Sequence, residues 1–415
     1  MISTDILIIG GGAAGMMAAL VAAGSGADII LLEKMNKLGK KILATGNGRC
    51  NYTNLRQEPS CYRGTDADFA WNAIKNFDNL RTIELFKKYG IMPSERDGYI
   101  YPASGQAASV RNILNRELIK AGVDIHIEEA VISVECKYKN DLKRNVFVIK
   151  SDKEIYCTDK LIIATGGKAY PVHGSDGFGY SIAKGLGHTI IRPLPALTAC
   201  IINEKYTKDW SGARVNGEVR AYNEAGRLLC ADKGELQFVA SGISGIPVFQ
   251  VSRYISEELA SGRKPYLVID IMPDYTKKEL TEEIIRRKKF CKGLSVGDVF
   301  EGMLNSAVTD ALLRSCKLKK SNRADAIDEL LIKKIVHNIK EWKLFVSATA
   351  GFDKAQVTCG GIPTSELNVS TMESRIVKGL YFAGEIIDVD GICGGYNLQW
   401  AWTSGYIAGS SAAHN

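Results

Sequence analysis

Six residues near the amino terminus constrain the fold more than any other feature of the sequence. The segment GGGAAG at positions 10 to 15 lies between a short β-branched run and an alanine-rich stretch, which predicts a strand, a tight turn and a helix. Gly10 permits the turn, Gly12 lets a pyrophosphate approach the backbone, and Gly15 lets the helix lie close to the strand. The free amide groups at the helix start favour an anion.

A second apolar strand, residues 28 to 32, leads directly into Glu33. This carboxylate stands about 20 residues beyond the glycines, where it can bind ribose hydroxyls. An acidic residue at this point disfavours a ribose 2′-phosphate. The pattern therefore predicts a dinucleotide site for FAD or NAD rather than NADP.

The segment that follows distinguishes between these two ligands. Residues 34 to 54, KMNKLGKKILATGNGRCNYTN, are rich in glycine and asparagine and contain several cations. Small residues around Arg49 suit close backbone approach to phosphates and to a flat ring. We therefore interpret the segment as a loop that contacts the phosphates and flavin of FAD, and the alternative is a plain surface loop.

Two distant segments complete the predicted site. An apolar strand over 160 to 165 runs into Gly166, and a second one over 379 to 388 contains Gly384 and Glu385. The glycine-rich stretch 391 to 409 then leads into a terminal helix. The amino terminus of this helix would face the anionic pyrimidine edge of a flavin.

These motifs together resemble one family along nearly the whole chain. They are the glycine turn with Glu33, TGNGRCNYTN at 45 to 54, ATGG at 164 to 167, GELQFVASGISGIPVFQVS at 234 to 252, VTCGGI at 357 to 362, TMES at 371 to 374 and GLYFAGEIIDVDGICGGYNLQWAWTSG at 379 to 405. The family is the HI0933/YhiN type of bacterial flavoproteins, which includes the bile-acid enzyme BaiN and aminoacetone oxidases. The resemblance implies a flavin domain with inserted β-rich and helical domains.

The cofactor-binding residues follow from the motifs and the resemblance together. The resemblance implies that Val131 holds adenine through backbone contacts, although a core position is the alternative, and that Asn397 and Leu398 offer backbone amides to the flavin. Glu385 and Asp388 would bind ribityl hydroxyls or cap the last helix. The predicted set is Gly10, Gly12, Ala13, Ala14, Gly15, Glu33, Lys34, Lys41, Arg49, Val131, Thr165, Gly166, Gly384, Glu385, Gly395, Asn397 and Leu398.

Few side chains are needed for catalysis, because a flavin supplies the redox chemistry itself. The candidates for a proton donor are Tyr396, Tyr170, Tyr101, His173 and Cys50, and the sequence does not rank them. Arg49 and Tyr396 are kept as catalytic candidates. His188 is expected to pack in a core or to cap a helix.

The predicted fold class is α/β, with a Rossmann-like FAD-binding domain built on a parallel sheet. Cofactor motifs lie at both ends of the chain and must converge on one ligand, so residues 1–191 and 346–415 form this domain. Short strand patterns predict a β-rich inserted domain over 192–274. Helical spacing predicts a helical inserted subdomain over 275–345.

Charge and cysteine content bear on possible partners, metal sites and the cellular compartment. Residues 275 to 345 hold 16 Lys plus Arg against 10 Asp plus Glu, and we interpret this basic segment as a solvated helical face without a nucleic-acid partner. Ten cysteines without a CxxC pair and five histidines predict no metal site and reduced thiols in the cytoplasm. The uncharged run 6 to 27 lacks a preceding cation and contains glycines, so neither a signal peptide nor a membrane span is expected. No pattern indicates an oligomeric state.

Three functions are compatible with these features. The first, implied by the resemblance, is NAD(P)H-driven reduction of an activated C=C bond in a 3-oxo steroid or bile-acid substrate. No second GxGxxG motif is present, so NAD(P)H would be a transient co-substrate. The alternative is an aminoketone or amine oxidase that produces hydrogen peroxide. A nucleic-acid-associated flavoprotein or scaffold, suggested by the basic segment, is the third.

Overall fold

The computed structural model describes residues 1–139 and 144–414. It divides into two compact units, which we call the Rossmann unit (residues 1–193 and 357–415) and the barrel unit (residues 194–356). The sequence-based borders lay after 191 and 345. The second border differs more, for a reason given below.

The helices and strands follow one another along three stretches of chain. The first contains β1 Ile2–Ile9, α1 Ala13–Ala23, β2 Ile29–Glu33, α2 Lys40–Ala44, β3 Thr53–Asn54, β4 Tyr62–Arg63, α3 Ala67–Ile74, α4 Asn79–Tyr89, β5 Pro93–Arg96, β6 Tyr99–Pro102, α5 Ala107–Lys120, β7 Asp124–Ile127, β8 Val131–Lys139, β9 Arg144–Ser151, β10 Ile155–Ile163, α6 Phe178–Gly185 and β11 Ile191–Ala196. The second contains β12 Cys200–Ile202, β13 Arg214–Tyr222, β14 Leu228–Val239, β15 Gly242–Ser244, α7 Ile246–Ala260, β16 Tyr266–Asp270, α8 Lys277–Phe290, α9 Val296–Phe300, α10 Ser306–Ser315, α11 Glu329–Glu341 and β17 Trp342–Thr349. The third contains β18 Val357–Gly361, β19 Leu380–Phe382, β20 Asp390–Gly391 and α12 Tyr396–His414.

The Rossmann unit is built on a mixed sheet with the strand order β7-β2-β1-β10-β9-β8. Strands β7, β2, β1 and β10 are parallel, and β19 adds to the second half of β10 in the same direction. The outer hairpin of β9 and β8 is antiparallel. Strand β1 carries a continuous buried apolar run, as expected for a strand covered on both faces. The predicted Rossmann-like α/β fold is confirmed, with an antiparallel edge added to it.

The last helix of the chain packs directly on the first. Gly405 and Gly409, one turn apart on α12, lie so close to α1 that a Cβ at either position would collide with the carbonyl oxygen of Ala14 or Ala18. Small residues at this spacing let two helix backbones approach closely. The two ends of the chain therefore meet at the start of α1.

The barrel unit is a closed barrel with the strand order β12-β15-β14-β13-β16-β17. Strand β17 pairs with both β12 and β16 and so closes the barrel. Residues 346–356, predicted to belong to the flavin domain, therefore lie in the barrel unit. The alternating burial of β17 is a strand pattern that follows α11 without a break.

The helices of the inserted segment do not form a separate subdomain. Ile284 on α8, Leu312 on α10 and Ile335 on α11 share one buried apolar cluster with Trp342 and Phe238 of the barrel. The β-rich part and the helical part therefore share one core, and the structure has no domain boundary at 274/275. None of the helices in the described ranges is long and apolar enough to cross a membrane.

Candidate functional site

The glycine turn after β1 has the geometry that a dinucleotide site requires. Gly10 has φ +105°, and a Cβ there would lie 2.6 Å from the carbonyl oxygen of Ala164. A Cβ on Gly15 would collide with the carbonyl oxygen of Gly10, whereas one on Gly12 would have no heavy atom of the described residues within 4 Å. Helix α1, with Ala13 and Ala14 in its first turn, has no acidic side chain there. Open space therefore adjoins the amide end of α1, where an anion is favoured.

Glu33 is fixed beside this turn by the backbone. Its carboxylate accepts hydrogen bonds from the N–H of Gly11 and the N–H of Met35, both at 2.8 Å. Burial raises the pKa of Glu33, and the two amide hydrogen bonds act in the opposite direction. An oriented carboxylate at the end of β2 is well placed to accept ribose hydroxyls.

Several cations lie next to the glycine turn. The N–H of Gly39 donates to the carbonyl oxygen of Gly11 at 2.8 Å, which brings Lys40 and Lys41 to the turn. The pKa of His173 is lowered, first by burial and then by these two lysines. This group of cations suits a diphosphate.

Two predicted phosphate contacts already have carboxylate partners. Lys34 pairs with Asp176, and Lys41 pairs with Glu385, each at 2.6 Å. The second oxygen of Glu385 accepts the N–H of Thr358 at 2.6 Å. Glu385 was expected to bind ribityl hydroxyls or to cap α12. Both of its oxygens thus have protein partners, and its roles towards ribityl hydroxyls or the start of α12 stay predictions.

Asp388, the other acidic residue of this motif, is also held internally. It is 1% exposed and accepts hydrogen bonds from the N–H and the hydroxyl of Thr65, at 2.8 and 2.6 Å. Asp388 therefore anchors the segment before β20, and its role towards ribityl hydroxyls or α12 stays a prediction.

The loop TGNGRC has an unusual backbone. Gly46, Asn47, Gly48 and Cys50 all have φ between 54° and 82°, the left-handed region that favours glycine and asparagine. Arg49 is exposed, and its side chain has no partner in the part of the chain that the structure describes. The loop therefore presents a cation on a tightly curved backbone.

The start of α12 lies against this loop. Gly395 has φ +93°, and a Cβ there would lie 2.8 Å from Oδ1 of Asn51. The side chain of Asn397 exchanges two hydrogen bonds with the backbone of Gly391, both at 2.8 Å. Within the described ranges, the backbone amides of Asn397 and Leu398 have no acceptor, as expected in the first turn of a helix. These amides are available to an electronegative ligand edge.

Three buried polar atoms near these segments have no protein partner among the described residues. They are Oγ1 of Thr165, Oδ1 of Asn51 and the hydroxyl of Tyr180. Burial raises the pKa of Tyr180 strongly, and the charge of Glu385 adds to the effect. Buried polar groups are normally hydrogen-bonded. Together with the open space at Gly12, they fit a ligand that carries hydroxyls and carbonyls, as FAD does.

The remaining predicted contacts occupy positions around the same sheet edge. Gly166 has φ +74° directly after Thr165, and Gly384 has φ +81° with its Cβ position 2.9 Å from Cβ of Ala14. Val131 begins β8 and is partly buried against the apolar core. Just before it, the N–H of Glu129 donates to the carbonyl oxygen of Glu33 at 3.1 Å. This bond brings the start of β8 to the ribose end of the site.

The candidate proton donors differ in environment. Burial raises the pKa of Tyr396, which packs edge-on against Tyr62, so its hydroxyl stays protonated. Tyr170 stacks on His173 with ring centroids 4.6 Å apart. Tyr101 has a ring carbon 3.6 Å from the Cβ position of Gly46.

Cys50, one of the candidate proton donors, and His188, expected to pack in a core or to cap a helix, are both buried. Burial raises the pKa of the Cys50 thiol to about 12, which leaves it without thiolate character. His188 is hydrogen-bonded to Glu366 at 2.7 Å and to Ser374 at 2.9 Å. Both of its ring nitrogens are thus engaged within the protein.

The sequence-based prediction omitted three residues at this site. Asn51 lies inside the quoted TGNGRCN motif and was a detectable polar candidate. Tyr180 and Thr358 carried no local signal, because they reach the site through α6 and β18. Among the described residues no cluster of His, Cys, Asp and Glu is placed to hold a metal ion.

The fold and this site define a flavin-dependent oxidoreductase on a Rossmann domain. The family model described as "HI0933-like protein Rossmann domain" matches residues 4–411. The chain belongs to this family, and the predicted family and enzyme class are confirmed.

Three curated relatives align along nearly their whole length. The chain is 40% identical to the 3-dehydro-bile acid Δ4,6-reductase of Clostridium scindens over 409 residues, covering 98% of each chain. It is 32% identical to the ribosomal RNA dihydrouridine synthase of Haemophilus influenzae, covering 98% of each. It is 30% identical to the enzyme of the same name from Escherichia coli, covering 97% of this chain and 96% of the relative.

Solved structures share the fold at much lower identity. A 3-ketosteroid Δ4-(5α)-dehydrogenase from Rhodococcus jostii aligns with a TM-score of 0.52 at 17% identity, covering 100% of this chain and 97% of the other. A 3-ketosteroid Δ1-dehydrogenase from Sterolibacterium denitrificans also gives 0.52, at 12% identity with 100% of both chains covered. These likenesses support the architecture only.

Proposed function

We propose that this protein reduces a C=C bond conjugated to a carbonyl group, with NAD(P)H as the electron donor and a 3-oxo bile-acid or steroid type of molecule as the substrate. The observation that carries the proposal is the 40% identity to the bile-acid Δ4,6-reductase over 98% of both chains. In this reaction a hydride adds to the β carbon and a proton to the α carbon, while NAD(P)H becomes NAD(P)⁺.

FAD is the proposed cofactor, and the chain offers groups for each of its parts. The amides of α1 and the open space at Gly12 suit the diphosphate, Glu33 suits the ribose, and the amides of Asn397 and Leu398 suit the pyrimidine edge. Bound FAD supplies hydride transfer between nicotinamide and substrate. The protein has only to orient the substrate and to deliver a proton.

Tyr396 is the proposed proton donor. Its hydroxyl is protonated at neutral pH, as that of an ordinary tyrosine is, and it directly follows Gly395, where the backbone begins the helix proposed to face the flavin. A tyrosine that gives a proton to the α carbon contributes to the rate as a general acid.

An anaerobic absorbance titration tests this reaction. NADH or NADPH should bleach the flavin band of the purified protein, and a 3-oxo-Δ4 steroid added afterwards should restore it. Failure of both nucleotides to bleach the flavin would remove the proposal. Hydrogen peroxide released only in the presence of aminoacetone would instead favour the aminoketone oxidase alternative, which stays a prediction.

A second candidate is reduction of uridine in RNA. The two ribosomal RNA dihydrouridine synthases match the full chain at 32% and 30% identity. A uridine also presents a C=C bond conjugated to a carbonyl group, so the same proton and hydride chemistry would serve both substrates. Mass spectrometry of ribosomal RNA from a strain lacking this gene tests the candidate. A position that is dihydrouridine in the parent strain and uridine in the deletion strain supports it, and an unchanged RNA opposes it.

We infer a reducing compartment for the protein, and hence the cytoplasm. Seven cysteines are free thiols in the structure, and four of them are buried; the seven are Cys50, Cys61, Cys136, Cys157, Cys200, Cys291 and Cys316. Unpaired cysteines in this number are typical of proteins kept reduced.

A further inference from the structure

The outer face of the barrel carries a row of aromatic side chains. Tyr222 on β13 lies opposite Tyr266 on β16, and Tyr266 lies opposite Phe345 on β17. The ring centroids are 5.2 Å apart in the first pair, with the planes within 8°, and 5.9 Å apart in the second. Neighbouring strand residues such as Leu267 and Leu344 are fully buried. Because side chains alternate along a strand, the aromatic row faces away from the core.

One cation, Lys343, lies on this row. Nζ of Lys343 lies 3.7 Å from the ring centroid of Tyr266 and 5.0 Å from that of Phe345. The turn before Arg227 approaches the row, since the Cβ position of Gly226 is 3.6 Å from the hydroxyl of Tyr266. No carboxylate in the described ranges forms an ion pair with Lys343 or Arg227.

The cations of the nearby helices behave differently. Arg286 and Arg287 both pair with Glu283 at 2.6 Å on α8, and Lys320 pairs with Asp310 at 2.8 Å. Much of the positive charge in the basic segment is therefore compensated locally. Lys343 belongs to that segment but lies on a strand, beside the half-buried ring of Tyr266 and the exposed ring of Phe345 and, among the described residues, without an acidic partner.

Sheet stability alone does not account for this arrangement. Cross-strand aromatic pairs stabilise sheets, which explains the stacking of Tyr222 on Tyr266. It does not explain why Phe345 leaves 55% of its surface in water with an uncompensated ammonium group beside it. An exposed ring next to a cation suits a strand of bases and phosphates, because bases stack on aromatic faces while cations neutralise the backbone.

We propose that this aromatic row, Tyr222, Tyr266 and Phe345 with Lys343, is a binding surface for single-stranded RNA. A base stacks on the exposed ring of Phe345, and Lys343 contacts the adjoining phosphate. The choice of RNA as the polyanion rests on the second candidate reaction proposed above, and the surface adds to that candidate the place where the RNA is held.

Fluorescence anisotropy with the full-length flavin-loaded protein tests the surface. The probe is a fluorescein-labelled single-stranded RNA of about 12 nucleotides, within the span that one small barrel covers, and the same sequence as a duplex is the comparison. Phe345→Ala should weaken binding of the single strand about 5- to 150-fold, the usual effect of losing one stacking ring. Phe345→Trp, which keeps a ring, should restore it.

Lys343→Gln should lower the slope of log K against log salt concentration by about 0.7, the share of one phosphate contact on a single strand. The matched control is Phe290→Ala. Phe290 is 75% exposed on α8 with Arg286 over its ring at 5.4 Å, so it presents a similar pair outside the proposed surface. Its replacement should leave RNA affinity unchanged.

Three results would overturn the proposal: no RNA binding by the unaltered protein, equal affinity in Phe345→Ala, or equal binding of the single strand and the duplex. Reoxidation of the flavin by a steroid enone is measured on the same preparations. This second assay distinguishes a failure of RNA binding from a failure of the proposed reduction. A Phe345→Ala protein that loses RNA but keeps enone turnover supports the surface. A wild-type protein that binds RNA but neither bleaches nor reoxidises contradicts the reaction and leaves the surface standing.

Discussion

Replacement of Gly12 by alanine separates cofactor binding from folding. Gly12 has φ −78° and ψ −169°, a conformation that any residue adopts, and no described residue has a heavy atom within 4 Å of its Cβ position. The methyl group should therefore cost the fold less than about 1 kcal/mol, the usual difference between glycine and alanine at a helix N-cap. Gly15→Ala is the counterpart, because its Cβ collides with the carbonyl oxygen of Gly10. Overpacking of this kind lowers the free energy of unfolding by about 1–3 kcal/mol.

The same methyl group in Gly12→Ala occupies the space through which a diphosphate reaches the amides of α1. Loss of one charge-assisted hydrogen bond costs about 1.5–3 kcal/mol. We therefore expect the Kd for FAD to rise about 10- to 150-fold, since each 1.4 kcal/mol is a factor of ten. The expected signature is weak FAD binding by a protein of nearly normal stability.

Two assays on deflavinated protein measure the two effects. Quenching of flavin fluorescence during a titration gives the Kd, and urea denaturation without FAD gives the free energy of unfolding. The reasoning fails if Gly12→Ala binds FAD as tightly as the wild type. It fails equally if Gly12→Ala loses as much stability as Gly15→Ala.

Three further predictions follow from the contacts of the Rossmann unit. Tyr396→Phe should slow enone-driven reoxidation about 10²- to 10⁴-fold, as expected for loss of a general acid, and leave bleaching by NAD(P)H unchanged in stopped-flow absorbance; equal slowing of both steps would contradict the role. Lys41→Met should lower the free energy of unfolding in urea by about 1–3 kcal/mol, because it leaves the partly buried carboxylate of Glu385 without its cation, and an unchanged midpoint would show that the pair contributes nothing. Burial lowers the pKa of His126, but the Asp124 carboxylate at 3.0 Å and a second carboxylate outweigh it and raise the pKa above its usual value. The protonated ring thus stabilises the fold below about pH 6.5, and this contribution is lost as the pH rises through the raised pKa; urea denaturation against pH should show the loss in the wild type and a flatter profile in His126→Gln.

The parts of the site that the sequence predicted are those encoded locally. The turn at Gly10, the helix after it and the carboxylate of Glu33 depend on neighbouring residues, since a positive φ, an alanine-rich stretch and a strand end are all visible in a short window. The start of α12 at Gly395 was predicted for the same reason. The resemblance then linked these segments into one cofactor site.

The parts that the sequence did not predict depend on pairing over long distances. The ion pair of Lys41 with Glu385 joins residues 344 positions apart, and no local pattern shows which carboxylate a lysine will meet. The sequence did not predict strand β17, because it follows a helix without an intervening turn. Its role in closing the barrel depends on pairing with β12 and β16, which are distant in sequence. Propensity identifies an element, whereas tertiary contacts decide its partner.

Side chains and backbone contribute differently to the positive potential of the site. Lys34 and Lys41, both predicted as phosphate contacts, share their charge with Asp176 and Glu385, so each contributes less net positive potential than a free lysine. The amide ends of α1 and α12 have no acidic residue in their first turns, so no side chain of those turns offsets the helix dipoles. A backbone dipole keeps its sign at every pH and needs no side-chain rotamer to be fixed. We therefore expect binding of an anionic dinucleotide to depend more on the shape of the glycine turns than on any one lysine, so that substitutions at Gly12 weaken FAD binding more than loss of the Lys34 charge does.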